Sequence, residues 1–134
     1  MSVSRLIYAA LGCAFMVLPH TVKAQDKPNY QLGMLPPGHI MLPDGDVQAN
    51  IFLMSDAGGW GDEEEKQAKA LVEKGAAVVG IDFPTYMKAL SADEGDCVYM
   101  ISDIEELAHE IQREAKAQTY RLPILAGVGE GGTL

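Results

Sequence analysis

The sequence predicts an α/β fold built on a parallel sheet, and three observations carry that expectation. Ala76 to Ile81 is an unbroken apolar run, the pattern of a strand covered on both faces. Helical patterning flanks it, over Asp62 to Gly75 on one side and roughly Asp96 to Gln118 on the other. Leu122 to Ala126 is a second buried-type run, and it leads into the glycine-rich turn Gly127-Val128-Gly129-Glu130-Gly131-Gly132. Strands that alternate with helices are joined by crossovers, and crossovers produce parallel sheets.

The N-terminus has a different character. Arg5 precedes an apolar run from Leu6 to Leu18, followed by Pro19 and the small-residue exit Val22-Lys23-Ala24. That order is a secretory signal peptide over residues 1–24, with cleavage after Ala24. Thirteen residues of greasy core are too few for a bilayer-spanning helix, which needs roughly 20, so no transmembrane anchor is expected after cleavage. A lipoprotein site at Cys13 is disfavoured, because the apolar run before it is short and continues beyond it. The mature protein is therefore expected in the periplasm.

Cleavage takes Arg5 and Lys23 from the 10 basic residues and none of the 19 acidic ones, which leaves 8 against 19 and a formal charge of −11. A surface so acidic, with no Lys/Arg cluster longer than two, is not expected to bind nucleic acid or anionic headgroups directly. Export leaves Cys97 as the one mature cysteine, either a small buried hydrophobe or half of a bridge to another chain.

Residues 25–48 read as a Pro-, Asn- and Gln-rich lead-in with a turn region. His39 to Leu42 and Ala49 to Ser55 are short strands on either side of Pro43-Asp44-Gly45-Asp46, which predicts a hairpin or two adjacent strands. Asp62 is placed to cap the first helix, Glu65 to complete a capping box, and Gly75 to end it, with Ala68, Leu71 and Val72 as the buried stripe. The second helix carries Cys97, Ile101, Ile104, Ala108, Ile111 and Ala115 at steps of four and three. The chain stops at Leu134, where the helix due after the glycine-rich turn has hardly begun. A fragment is expected, with an open sheet edge and an uncovered face.

The glycine-rich turn admits three readings. Gly127-x-Gly129-x-x-Gly132 has the spacing of a dinucleotide fingerprint, but it follows the wrong strand and places Glu130 where a phosphate would sit. Gly127-Val128-Gly129-Glu130-Gly131 has the flanking glycines of G-x-S-x-G, the strand-to-helix elbow of α/β-hydrolases, with Gly129 in the nucleophile's place. The third reading is a tight turn whose glycines serve close packing. The loop Ser55-Asp56-Ala57-Gly58-Gly59-Trp60-Gly61 favours the elbow, because the corresponding hydrolase loop supplies an oxyanion-hole amide. Asp56, Gly58, Gly59 and Trp60 are thus the candidate oxyanion or ligand loop, and Gly127, Gly129, Glu130 and Gly131 the elbow.

These residues, with Val78-Val79-Gly80-Ile81-Asp82 and Tyr86, resemble the bacterial virulence protein family known as VirJ and AcvB over residues 49–134. The chain departs from the family pattern at Ala57, where an aspartate precedes the glycine pair, at Thr85, where an arginine precedes the tyrosine, and at Gly129, where catalytic members carry serine. The resemblance implies a periplasmic α/β-hydrolase-like domain with helices on both faces of its sheet, of which only the N-terminal half is present. It implies a link to type IV secretion and to hydrolysis of aminoacylated phosphatidylglycerol, with a lipid or a periplasmic protein as partner. A serine-less copy directly after a signal peptide implies a non-catalytic module ahead of an active one; an esterase with an unusual nucleophile is the alternative.

Other polar residues have simpler readings. Asp82, at a strand end, is expected to cap nearby amides rather than bind substrate. Trp60 reads as core or rim, the Glu63-Glu64-Glu65 run as a dipole-matched first turn, and the scattered methionines as packing. His39 and His109 are not placed as a hydrolase base, and no metal or other cofactor is expected from the spacing of His, Cys and carboxylates.

Overall fold

The computed structural model describes residues 30, 32–36, 38–95 and 100–133. The expected signal peptide and Cys97 lie outside the described residues. The element order is β1 (His39–Met41), β2 (Ala49–Met54), α1 (Asp62–Val72), β3 (Ala76–Ile81), α2 (Phe83–Ala92), α3 (Met100–Glu114), β4 (Pro123–Gly127) and a short 3₁₀ turn (Gly129–Thr133). The four strands form one sheet in the order β1-β3-β2-β4.

β2 lies parallel to β3 on one side and to β4 on the other, with Ile51 opposite both Val78 and Ile124. The α/β expectation thus holds. The sheet is mixed rather than wholly parallel, because β1 runs antiparallel to β3 with Ile40 opposite Val79. The expected β1–β2 hairpin does not form; β1 reaches past its sequence neighbour to the far side of β3.

Chain direction explains the layering. β2 to β3 moves one way across the sheet, and β3 to β4 moves back past β2 to the other side. Right-handed crossovers in opposite directions place their helices on opposite faces. Side-chain alternation agrees: Leu53 and Val78 pack with Ala68, Leu71 and Val72 of α1, whereas Phe52, Met54, Val79 and Ile81 pack with Ile104, Leu107, Ala108 and Ile111 of α3. Helices therefore lie on both faces of the sheet over β2 and β3. Every residue of β3 is buried, and each fully buried aliphatic side chain contributes about 1.5–3 kcal/mol of transfer free energy.

Two helix readings shift. The cap of α1 is Gly61, one residue earlier than expected, and its N–H donates to the Glu64 carboxylate at 3.0 Å. Glu65 is released for other bonds. In α3 the stripe is Ile104, Leu107, Ala108 and Ile111, and Ile101 in the first turn is 66 % exposed. β4 is a correction of a different kind. Its apolar run is not buried, and Ile124 and Leu125 are 52 % and 49 % exposed on opposite faces.

Candidate functional site

The sheet's carboxyl ends meet where the chain leaves β2 toward one side and β4 lies on the other, the switch point at which α/β sheets open a crevice. Both candidate segments stand there. The loop after β2 and the turn after β4 are joined by the Val128 N–H, which donates to Met54 C=O at 3.0 Å.

The turn begins abruptly. Gly129 has φ +52°, a left-handed conformation that costs a residue with a side chain about 1 kcal/mol or more. Gly127 and Gly131 answer to space instead: a Cβ on Gly127 would lie 2.3 Å from the Gly131 carbonyl carbon, and one on Gly131 2.2 Å from Ser55 O. The flanking glycines thus meet the demand of close packing. Gly129–Thr133 form a 3₁₀ turn.

The loop after β2 is fixed from below. The Ser55 hydroxyl accepts the Phe83 N–H at 3.0 Å and donates to Asp56 C=O at 3.1 Å, while the Ser55 N–H donates to Ile81 C=O at 2.9 Å. Ser55 is fully buried and its hydroxyl is engaged on both sides, so it is structural. The Gly59 N–H then turns back to Asp56 C=O at 2.9 Å, and the Trp60 N–H donates to Asp82 Oδ2 at 2.8 Å. Two amides of the candidate loop are therefore already used, Gly59 within the loop and Trp60 by Asp82.

Asp56 reaches across to the elbow. Its Oδ1 accepts the Glu130 N–H at 2.8 Å. That bond first, and the Ala57 amide second, hold the carboxyl below its ordinary range. The Glu130 amide follows the elbow position, where a hydrolase would place an oxyanion donor, and here a carboxylate of the same chain occupies it.

Asp82 caps α2, accepting the Thr85 N–H at 3.0 Å and the Thr85 hydroxyl as well. The Thr85 hydroxyl is the largest cause of its lowered pKa, with the Trp60 and Thr85 amides adding to it. Trp60 itself lies over the backbone of Gly80, stacks on the His39 ring at 4.7 Å between centroids, and donates its indole N–H to Glu65 at 3.1 Å. His39 was not placed at the site by sequence; antiparallel β1 brings it there, opposite Gly80 at the carboxyl end of β3. His109 is elsewhere, stacked on Tyr120 along α3. Among the described residues no three His, Cys, Asp or Glu side chains converge as metal ligands, and no helix is long and apolar enough to cross a membrane.

A small cavity of about 90 Å³ lies beneath the elbow, between Phe52, Met54, Ile104, Leu125 and Gly131. It continues the core that α3 shares with β2. In comparisons with known proteins, no family model, no curated protein and no solved structure matches the chain.

Proposed function

We propose that this chain is a non-catalytic, α/β-hydrolase-like module of an exported, VirJ/AcvB-like virulence protein. In that role it is periplasmic after loss of residues 1–24, binds a lipid or a periplasmic protein, and supports an aminoacyl-phosphatidylglycerol hydrolase domain or type IV secretion. One observation carries the reading. At the elbow that joins β4 to its 3₁₀ turn, the position from which a nucleophile would project is Gly129, in a left-handed conformation and without a side chain. Acyl transfer needs an attacking atom, and Gly129 supplies none.

The setting supports the comparison with hydrolases. The elbow follows a strand parallel to β2, the glycine loop after β2 stands beside it, and helices lie on both faces of the sheet. Ser55, the nearest hydroxyl in the loop, is buried and bonded on both sides, which leaves it unable to take over.

The test is turnover by the unmutated, exported protein, purified away from any serine-bearing copy. No hydrolysis of p-nitrophenyl acetate or of aminoacylated phosphatidylglycerol above the uncatalysed rate is expected. Turnover that survives Gly129→Ala and is lost on Glu130→Gln would transfer the protein to the active-esterase class. N-terminal sequencing of the exported form is expected to begin at Gln25; a soluble cytoplasmic form that retains residues 1–24 would defeat the periplasmic assignment.

A further inference from the structure

Glycine at the elbow is one half of an arrangement whose other half is Asp56. The backbone of Asp56 is pinned by the Ser55 hydroxyl and the Gly59 amide on its carbonyl, which leaves its side chain aimed at the neighbouring turn. Its carboxylate accepts the Glu130 amide at 2.8 Å and is also stabilised by the Ala57 amide. A Cβ built on Gly129 would fall 2.2 Å from Asp56 Oδ1 and 2.5 Å from its Cγ, inside the carboxylate itself. Real Cβ atoms do not approach a neighbour that closely.

We propose that Asp56 is an internal plug of the elbow: its carboxylate fills the volume that a side chain at position 129 would need and occupies the Glu130 amide that a ligand oxygen would need. This deepens the reading above and rests on it for the meaning of the elbow, although the contact itself stands independently. Two consequences separate the plug from a chance surface hydrogen bond. A side chain at position 129 must overcome its own positive φ and push the end of the Asp56 side chain off the Glu130 amide, so the two positions are energetically coupled. A carboxylate or acyl oxygen that reaches the Glu130 amide must first displace Asp56.

A double-mutant cycle on the full chain tests the coupling. Wild type, Asp56→Ala, Gly129→Ser and the double variant are compared by thermal unfolding. Gly129→Ser alone is expected to lower Tm, because backbone strain and the loss of the Asp56–Glu130 bond add. In the Asp56→Ala background the same substitution is expected to lower Tm by clearly less, since only the strain remains. An equal drop in both backgrounds would overturn the plug. Should Gly129→Ser fail to fold, the Glu130 amide decides the matter by nuclear magnetic resonance. In wild type its resonance is expected to move as acid protonates Asp56, and in Asp56→Ala that movement is expected to vanish. An identical acid profile in the two proteins would refute the contact. Ester hydrolysis by the unmutated protein would end the non-catalytic reading and leave the plug standing, whereas an additive cycle would do the reverse.

Discussion

Asp82 ties two loops with one carboxylate, so Asp82→Ala removes two supports at once. Oδ1 caps α2 through the Thr85 N–H at 3.0 Å, and Oδ2 takes the Trp60 N–H at 2.8 Å. Loss of an N-cap costs about 1 kcal/mol. A part-buried N–H left without its acceptor costs about 1–2 kcal/mol more. The sum is about 2–3 kcal/mol, and with a urea m-value of about 1–1.5 kcal/mol/M for a chain of this size the midpoint falls by about 2 M. Trp60, the sole tryptophan, sits on the perturbed loop and reports the transition by fluorescence. Asp82→Asn keeps a good cap and one acceptor oxygen, so it should lose less than half as much. The native pKa of Asp82 is lowered, chiefly by the Thr85 hydroxyl, so its stabilisation is present above the ordinary Asp value of about 3.9 and fades as pH falls through the lower native value. The difference between wild type and Asp82→Ala should shrink accordingly in acid. A loss below about 0.5 kcal/mol, or equal losses for Ala and Asn, would refute this account of the loop.

Asn50 is fully buried in β2 with neither side-chain amide atom bonded among the described residues, so Asn50→Leu should raise stability by about 1–3 kcal/mol in urea melts. Gln112, 4 % exposed, clasps both backbone groups of Arg121, at 2.6 Å to the N–H and 2.8 Å to the carbonyl, just before β4. Gln112→Leu strands both groups and should cost about 2–4 kcal/mol by the same measurement, whereas a simple helix-surface glutamine would cost almost nothing. The Tyr120 phenol is pushed up to about 12 by desolvation first and by its bond to Glu105, 2.7 Å long, second. Its folded form holds the proton more tightly, so its stabilisation is complete below about pH 10 and is lost as pH rises through the native value. Ultraviolet titration should show this late ionisation, and Glu105→Gln should bring it earlier.

What could be read from sequence was local. The Ala76 to Ile81 run is β3 and is buried throughout, and the acidic stretch from Asp62 is the first turn of α1. The pairing of β1 was not legible, because Pro43-Asp44-Gly45-Asp46 has turn chemistry and nothing in it says which strand β1 will meet. α2 carries Phe83, Tyr86, Met87 and Leu90 at helical spacing behind Asp82-Phe83-Pro84-Thr85, an N-cap with proline in the first turn, so both signals for this helix stand in the sequence. The run Leu122 to Ala126 marks a strand correctly but cannot say which of its faces a helix will cover, and here both are largely open. At the site, the glycines of both segments were visible as motifs. The contact between Asp56 and the elbow was not, since it joins residues 74 apart in sequence through two parallel strands.

The central position of β2 also sets an order of assembly. Its register with β3 joins Ala49 to Ala76, 27 residues on, while its register with β4 joins Asn50 to Pro123, 73 residues on. Closing the longer loop costs about 0.9 kcal/mol more chain entropy, and it gains a strand that stays largely exposed. The β2–α1–β3 unit is therefore expected to form first and β4 to dock onto it afterward, with the β4 amides exchanging with solvent deuterium well before those shared by β2 and β3. Since the elbow hangs from β4 and the glycine loop from β2, the two halves of the site exist as a pair only in the last state of that sequence.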